Sequence, residues 1–551
     1  MMRTVSWPCL LLFTWVALCG ATASAYQKPE TASPVRIADA VCANCHREIF
    51  EKYLTTPMAN ASGPAVEKFK TGTLNHKTSG AIYKLFVRDE QAMLSMQDSH
   101  DVQAAATERK LSSFLGSGHL GITYLYSVNG YLFESPVAYY SASQSFDMKP
   151  GLESTTEVPP ALPMQASCLR CHMSAVQPSD PGTINHYSGL AFLHDGITCE
   201  ACHGDTQQHI ATSGKTAAVH PAKLDAERRD SICISCHLEG DTSVERLGRA
   251  VLNYKPGDLI TDYLSYFVYE GKDATKRGVS EVEQLSRSMC KRVRGDKMSC
   301  TSCHDPHYTP QPRERAAFYR GKCLACHNDA AFAASHHPEN PDCTSCHMPR
   351  SGAENIPHVA WTDHRIQRVP GIGESIRNFT EDDTLVPVFS PHATKRDLAL
   401  AYYSAVLEGN SAVEQKAYRV LKEIWPEILE DKEALNALGI LSEKRGDYKQ
   451  ATEIFEQVLK IDLQDLTALS NLGTLRAKSG DLQGAIALWQ PAFVRNEDVV
   501  GLAKNMAQVQ CMTGDTASAR ITLQRTLQYS PSLRDVQQLL AALPSCSVAR
   551  Q

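Results

Sequence analysis

The sequence lacks several features that would assign it to a common class of protein. Beyond residue 20, no segment approaches the run of about 18 consecutive apolar residues that a membrane-spanning helix needs. The charge has no strong sign, because 55 Lys and Arg residues are balanced by 61 Asp and Glu residues, giving a formal net charge of -6. We therefore expect no nucleic-acid partner. The 551 residues are enough for two or three domains with sizeable cores.

The N-terminus has the pattern of a secretion signal over residues 1–25. Arg3 supplies a short basic region, residues 5–20 are mainly apolar, and residues 23–25 (ASA) match the small-x-small cleavage pattern. We expect a mature chain that begins at Tyr26, has no transmembrane span and lies in the bacterial periplasm. An uncleaved membrane anchor is the alternative, which the short apolar region disfavours.

Cysteine is abundant, and its spacing is informative. Of the 19 cysteines, 14 fall in seven Cys-x-x-Cys-His motifs, two fall in the signal, and Cys290, Cys511 and Cys546 remain. The motifs contain Cys42, Cys45 and His46; Cys168, Cys171 and His172; Cys199, Cys202 and His203; Cys233, Cys236 and His237; Cys300, Cys303 and His304; Cys323, Cys326 and His327; and Cys343, Cys346 and His347.

This motif is the attachment pattern for haem c. Two thiols three residues apart reach the two vinyl groups of one porphyrin, and the histidine that follows binds the iron on the proximal side. Disulfides and zinc sites also use paired cysteines, but neither requires a histidine after every second cysteine. We therefore expect seven covalently attached haem c groups, with the seven motif histidines as proximal iron ligands.

Several segments around the motifs resemble a known group of proteins. CANCHREIFEKYLTTPMANASG, GITCEACHGDTQQHI, CTSCHDPHY and DCTSCHMPR with PHVAWTDHRIQR are similar to multihaem cytochromes related to cytochrome c-554, hydroxylamine oxidoreductase and pentahaem nitrite reductase. The likeness is greatest to bacterial proteins that join such a cytochrome to tetratricopeptide repeats (TPRs). It runs from about residue 38 to the C-terminus.

The resemblance implies where the second, distal iron ligands lie. Carried onto this chain, it points to His209, His307, His337 (or its neighbour His336), His358, His364 and His76. In the tetrahaem relatives a histidine also follows the first motif, where this chain has Met58. A Met58 thioether on the iron would raise the reduction potential relative to two histidines. Alternatively, Met58 packs against the porphyrin and His119 is the ligand, or one haem stays open.

Cys290 lies ten residues before Cys300 in SRSMCKRVRGDKMSC. It is a candidate iron ligand or redox thiol, because the charges of Lys291 and Arg292 would favour the thiolate. The simpler reading is a buried structural cysteine.

The expected fold is mainly α, with a cytochrome domain over residues 26–370 built from short helices and loops. Residues 81–87 (AIYKLFV) and 122–128 (ITYLYSV) have β-strand character, and Asn129-Gly130 before residues 131–133 is a hairpin signal. We therefore expect a small antiparallel β insert at about residues 78–145.

A helical-repeat domain is expected over residues 391–545. Gly446-Asp447, Gly480-Asp481 and Gly514-Asp515 recur every 34 residues, as do Ala451, Ala485 and Ala519. This period is the TPR pattern, in which the glycine ends one helix and the alanine lets the next pack closely. Residues 371–390 are interpreted as a linker, after which Ser390-Pro391 fits a helix N-cap. A disulfide between Cys511 and Cys546 is a further hypothesis.

These patterns favour an exported electron-transfer protein that relays electrons along seven haems and docks redox partner proteins through its TPRs. Self-association through the TPRs is an open alternative. A second hypothesis is an oxidoreductase that acts on a small nitrogen or sulfur compound at one open haem. No CxxCK motif, the mark of the catalytic haem in many pentahaem nitrite reductases, is present.

Overall fold

The computed structural model describes residues 39–100, 106–271, 277–336, 339–340, 342–353, 356, 358–368 and 380–545. The expected signal sequence, Cys546, His337 and the first part of the expected linker lie outside these ranges. The chain divides into two compact units between Val420 and Leu421. None of the helices in the described ranges is long and apolar enough to cross a membrane.

The first unit contains a ten-stranded antiparallel sheet between the first and second motifs. Its strands are β1 (Ser62–Pro64), β2 (Gly72–His76), β3 (Ala81–Arg88), β4 (Gln91–Asp98), β5 (Thr107–Leu115), β6 (Gly121–Val128), β7 (Tyr131–Glu134), β8 (Val137–Tyr140), β9 (Ser145–Met148) and β10 (Leu162–Pro163). The main path runs β10-β7-β6-β5-β4-β3-β2, while β1 pairs with β5, and β8 pairs with β6 and β9. The expectation of a small insert at 78–145 was wrong in size, since pairing extends from residue 62 to residue 163.

The expected hairpin is present between β6 and β7. Val128 pairs with Tyr131, and the two residues between them, Asn129 and Gly130, have φ angles of 50° and 84°. Positive φ at both positions gives a turn whose twist matches that of the strands, and Asn-Gly adopts it at little cost. The strand expected at 81–87 is β3.

The sheet packs directly on the second motif. Leu169, which lies between Cys168 and Cys171, is fully buried in a cluster with Leu115, Leu125 and Leu132 of the sheet. Burying a leucine side chain stabilises the fold by about 1.5–3 kcal/mol. The sheet therefore holds this motif in place as well as covering it.

Short helices and short strands make up the rest of the first unit. The helices are α1 (Ala43–Tyr53), α2 (Ala166–Leu169), α3 (Glu200–His203), α4 (Gln207–Ala211), α5 (Ala226–His237), α6 (Glu281–Arg287), α7 (Met289–Arg294), α8 (Pro312–Leu324), α9 (Ala330–Ser335), α10 (Cys343–His347), α11 (Lys395–Leu407) and α12 (Glu414–Ile424), the last of which crosses the division. The strands are β11 (Met173–Val176), β12 (Phe192–Asp195), β13 (Thr242–Glu245), β14 (Leu264–Tyr269), β15 (Arg350–Gly352), β16 (Ala360–Thr362) and β17 (Leu385–Val388).

The stretch expected to be a linker is partly a strand. β17 pairs with β14 in a three-stranded sheet. The N-cap expected at Ser390 is also wrong, because the Ser390 hydroxyl accepts a hydrogen bond from the Tyr266 backbone N–H at 3.0 Å. Helix α11 is instead capped by Thr394, which forms a capping box with Asp397. The helical region that begins here belongs to the first unit as far as Val420.

The second unit is a stack of helices with a 34-residue repeat. It contains α13 (Lys432–Lys444), α14 (Tyr448–Ile461), α15 (Leu466–Lys478), α16 (Leu482–Arg495), α17 (Val500–Met512), α18 (Thr516–Tyr529) and α19 (Arg534–Ala542). Asp447, Asp481 and Asp515 cap the second helix of each pair by accepting a backbone N–H with their side chains. The glycine before each aspartate has a positive φ of 81°, 91° or 84°, which ends the preceding helix.

The close approach of paired helices depends on small residues. Ala451, Ala485 and Ala519 are completely buried. The backbone of Gly473 in α15 lies against the indole of Trp489 in α16, so a β-carbon there would overlap the ring. Trp489 is itself fully buried, and its Nε1 donates to the Ser470 carbonyl at 2.9 Å.

Candidate haem-binding sites

The motifs fold locally into helical turns, several of which are part of a longer helix. The histidine N–H donates to the carbonyl of the first cysteine at 2.8–3.0 Å in the pairs His46 with Cys42, His203 with Cys199, His304 with Cys300 and His327 with Cys323. Residues three apart on such a turn lie on the same face. Both thiols of a motif are thereby directed to one side, with the histidine beside them.

The structure brings four motif histidines against a second imidazole. The ring centroids are 6.0–6.2 Å apart and the planes differ by only 11–28° in the pairs His46 with His209, His203 with His307, His304 with His364, and His347 with His336. In each of the first three pairs the second histidine follows a later motif. The resemblance had pointed to His209, His307, His364 and, as the neighbour of His337, His336.

The hydrogen bonds of these rings leave one nitrogen available to a metal. Nδ1 of His209 lies 2.9 Å from the Thr216 carbonyl, and Nδ1 of His203 lies 2.8 Å from the Val219 carbonyl. Because a carbonyl oxygen can only accept, Nδ1 carries the proton and Nε2 has a free lone pair. His347 and His364 have the same arrangement, with Nδ1–O distances of 2.7 and 2.9 Å. Such outer hydrogen bonds orient histidine ligands in metal sites.

The separation within the pairs fits an iron between them. Two metal–imidazole bonds of about 2 Å each, added to the distance from each Nε2 to its ring centroid, give roughly the separation that is observed. Desolvation, with the nearby imidazoles of His364 and His237, lowers the pKa of His304 to about 4. That ring is therefore neutral at neutral pH, the form that binds iron. These residues fit haem iron with two histidine ligands.

Other residues expected as distal ligands are placed elsewhere. Nδ1 of His76 is 2.7 Å from the Ser79 hydroxyl and Nε2 is 3.1 Å from the Glu153 carbonyl, so both nitrogens are engaged at the end of β2. Nε2 of His358 lies 2.7 Å from a carboxylate oxygen of Asp147. The structure therefore brings neither of them to a motif histidine.

Met58 is half-buried, and its carbonyl accepts from Ile197 at 3.0 Å. His46, which it was expected to serve, faces His209 instead. His119 is exposed between β5 and β6. Sequence reasoning about Met58 used position along the chain, whereas the partner of His46 comes from a segment that only folding brings close.

Three motif histidines differ from the other four in their surroundings. Within the described ranges, His172, His237 and His327 make no ring contact with another histidine. Burial lowers the pKa of His172. The Lys149–Glu134 ion pair interacts electrostatically with both His172 and Cys168 of the same motif.

The motifs also adjoin one another through their sulfur atoms. Neighbouring thiols link motifs 1 and 3, 2 and 4, 4 and 5, and 6 and 7, in the pairs Cys42 with Cys199, Cys171 with Cys236, Cys233 with Cys300, and Cys323 with Cys343. Burial and the neighbouring Cys236 raise the pKa of Cys202 to about 11, which places motif 3 beside motif 4. Cys303 interacts in the same way with Cys323, joining motifs 5 and 6. The motifs therefore form one row, 1-3-4-5-6-7, with motif 2 beside motif 4.

The alternative uses of cysteine find little support in this geometry. All fourteen motif cysteines are free of disulfides. Asp39, Cys42 and Cys199 form a three-ligand cluster that spans two motifs, and a structural zinc site needs four ligands. Burial raises the pKa of Cys290, which opposes the thiolate that the charges of Lys291 and Arg292 would favour. Cys511 is disulfide-bonded, and its expected partner lies outside the described ranges.

Replacing His209 by alanine is expected to open the iron at the first motif, whereas Met58→Ala should leave it six-coordinate. The reason is that His46 faces the imidazole of His209. EPR spectra of the oxidised proteins check this: His209→Ala should exchange one low-spin signal for a high-spin one. A high-spin signal in the Met58→Ala protein instead would show that the Met58 thioether, and not His209, is the distal ligand.

A second substitution pair separates two adjacent histidines before the seventh motif. His336 lies 6.0 Å from His347, centroid to centroid. We expect His336→Ala to give a reduced protein that binds carbon monoxide at one additional iron, and His337→Ala to match the parent. The CO difference spectrum measures this, and the reverse pattern would transfer the role to His337.

Comparison with known proteins gives matches in both parts of the chain. The family model for the doubled CXXCH motif matches residues 291–332, and that for cytochrome c554 and c-prime matches residues 137–204. The multiheme cytochrome MtrA of Shewanella baltica (strain OS185) is 25% identical over 214 residues, covering 36% of this chain and 57% of that protein. The match thus spans little more than half the length of this relative.

Solved structures also resemble the chain. A crystal structure of MamA is 20% identical, covers 24% of this chain and 77% of its own, and has a TM-score of 0.23. The Yersinia enterocolitica type III secretion chaperone SycD, in complex with a peptide of the translocator YopD, is 20% identical over 20% of this chain and 92% of its own, with a TM-score of 0.19.

The motifs and the matched family models together define a multihaem c-type cytochrome. More particularly, residues 137–204 are similar to cytochrome c554 and c-prime, and the C-terminal helices have the 34-residue period of tetratricopeptide repeats.

Proposed function

We propose that this chain is an exported, periplasmic electron carrier that relays electrons along seven covalently bound haems. The observation that carries the proposal is the continuous row of motifs, 1-3-4-5-6-7, in which each motif adjoins the next through its sulfur atoms. Haem c supplies one-electron chemistry when it is bound. The fold of the chain sets the order of the haems along the row and the spacing between them.

The four imidazole pairs support a carrier at those positions. An iron held by two histidines has no free position for a substrate, so it exchanges electrons only. The carbonyls of Val219, Thr216, Thr362 and Gln367 hold one histidine of each pair in a fixed tautomer. A ligand set that does not rearrange between redox states favours rapid exchange.

The helical repeats are proposed to dock a protein partner. Stacked repeats form extended concave surfaces that suit a peptide or a helix. Self-association is the competing use, and size-exclusion chromatography with light scattering of the full chain distinguishes the two. A monomer at micromolar concentration would leave docking as the role of the repeats.

The test of the carrier proposal is a potentiometric titration of the mature protein, combined with EPR and CO binding. We expect seven irons that titrate reversibly, with two-histidine low-spin signals dominating. Haem quantified by the pyridine haemochrome assay should reach seven per chain. Fewer haems, or irons that do not titrate reversibly, would contradict a seven-haem relay.

A second candidate is an oxidoreductase for a small nitrogen or sulfur compound, and the second motif favours it. His172 has no imidazole opposite it within the described ranges, and the Lys149–Glu134 ion pair lies close enough to influence it. Such charged groups could steer an anion and deliver a proton. Turnover of nitrite, hydroxylamine or a sulfur oxyanion that Lys149→Ala abolishes, without altering haem content, would establish this function.

A further inference from the structure

Helix α7 lies against two haem motifs and has two chemically different faces. Residues 290, 291 and 294 lie on one side of the turn, and residues 289, 292 and 293 lie on the other, as helical spacing requires. On the inner side, the Arg294 guanidinium donates to Sγ of Cys326 at 3.7 Å, and Cys290 interacts electrostatically with Cys326 and Cys303. The inner face therefore lies against the fifth and sixth motifs.

The outer face combines exposed apolar and basic side chains. Met289 is 62% exposed and Val293, one helical turn further on, is 72% exposed, so two large apolar side chains lie together on this face. Arg292, the third member of this face, is also exposed. An apolar centre flanked by arginine is the composition of a protein interface, in which Met and Arg are enriched.

The charge around this face is mainly positive. Residues 287–297 contain five basic residues and one acidic residue. Lys291 is paired with Asp230 at 3.5 Å, but Arg287, Arg292, Arg294 and Lys297 have no carboxylate partner within the described ranges. In a chain whose formal net charge is -6, this is a local positive surface.

We propose that the outer face of α7, with Arg287 and Lys297, is the docking surface for an acidic electron-transfer protein. The occupant follows from charge complementarity, since unpaired guanidinium and ammonium groups steer a negative surface towards them. Electrons would then enter or leave at the fifth and sixth motifs, directly beneath the helix. This inference rests on the proposed relay function.

The test uses the holoprotein and an acidic plant-type [2Fe–2S] ferredoxin as the reductant, followed by stopped-flow absorbance at several ionic strengths. The variant is Arg287→Glu/Arg292→Glu, which spares Arg294 and its contact with Cys326. The matched control is Lys77→Glu/Lys110→Glu, which makes the same charge change at exposed lysines near and on the ten-stranded sheet. At low salt we expect the variant to react about tenfold or more slowly than the parent and the control to stay within about twofold. The difference in reaction rate between the parent and the variant should decrease as salt is added.

Each other outcome counts against the surface. Equal slowing of variant and control would mean that net charge matters and the location does not. A rate without salt dependence, or no reaction of the ferredoxin with the parent, would also overturn the proposal. Reduction by dithionite distinguishes failure of the docking surface from failure of the relay. If dithionite reduces parent and variant alike, the relay stands whatever the ferredoxin does; if it leaves haems of the parent oxidised, the relay itself fails.

Discussion

Replacing Cys233 and Cys236 by alanine is expected to divide the row of motifs into two groups that no longer exchange electrons rapidly. Motif 4 is where the row branches: Cys236 adjoins Cys171 and Cys202, and Cys233 adjoins Cys300. Without it, motifs 1 and 3 lose their contact with motifs 5 to 7, and motif 2 loses its contact with the row. This is the largest functional effect that the geometry predicts for a single site.

A photosensitiser attached at Arg313→Cys gives the measurement, because the Arg313 side chain is 86% exposed and follows the fifth motif. Electrons injected there should spread through motifs 5 to 7 in the fast phase of the variant, while the haems of motifs 1 to 3 are reduced slowly. The control is Cys42→Ala/Cys45→Ala, which also removes one haem but lies at the end of the row. Uniform fast reduction in the motif 4 variant would show that motifs 3 and 5 exchange directly.

Trp489→Ala is expected to destabilise the repeat unit by about 3–5 kcal/mol, the usual cost of deleting a fully buried aromatic side chain. The cavity would lie between α15 and α16, in the middle of the stack. Urea unfolding followed by far-UV circular dichroism measures the change. Val494→Ala, at a residue in the same helix that is 53% exposed, should alter the free energy of unfolding by less than about 0.5 kcal/mol.

The same contact predicts an interaction between two substitutions. Gly473→Ala alone should cost about 1–3 kcal/mol, because its β-carbon would overlap the indole. In the Trp489→Ala background, the added methyl enters vacant space and the cost should disappear or reverse. Equal costs in both backgrounds would mean that the indole does not limit residue 473.

The parts of the fold that depend on neighbouring residues were predictable from the sequence. The Asn129-Gly130 turn, strand β3 and the 34-residue helical period each follow from local patterns, and the structure has all of them. The extent of the sheet was not predictable in this way. Strands such as β5 (TERKLSSFL) mix charged and apolar residues, and their stability comes from partners on either side.

The candidate sites were likewise predictable only where their residues are close together in the sequence. The attachment motifs are contiguous in sequence, so seven proximal histidines could be proposed without a structure. The pairing of His46 with His209, or of His304 with His364, joins residues that only the folded chain brings together. The resemblance also suggested His76 and His358 as distal ligands. The two ring nitrogens of His76 instead lie beside the Ser79 hydroxyl and the Glu153 carbonyl, and Nε2 of His358 lies beside the Asp147 carboxylate.

The alternation of the imidazole pairs has a consequence for how the protein is made. The partner of His46 follows the third motif, that of His203 follows the fifth, and that of His304 follows the seventh. Because the chain is synthesised from its N-terminus, each of these sites stays incomplete until a segment two motifs further on has been made. The three histidine pairs are therefore completed one after another, in the order of their motifs along the chain. A chain that stops before His364 would leave His304 without its counterpart.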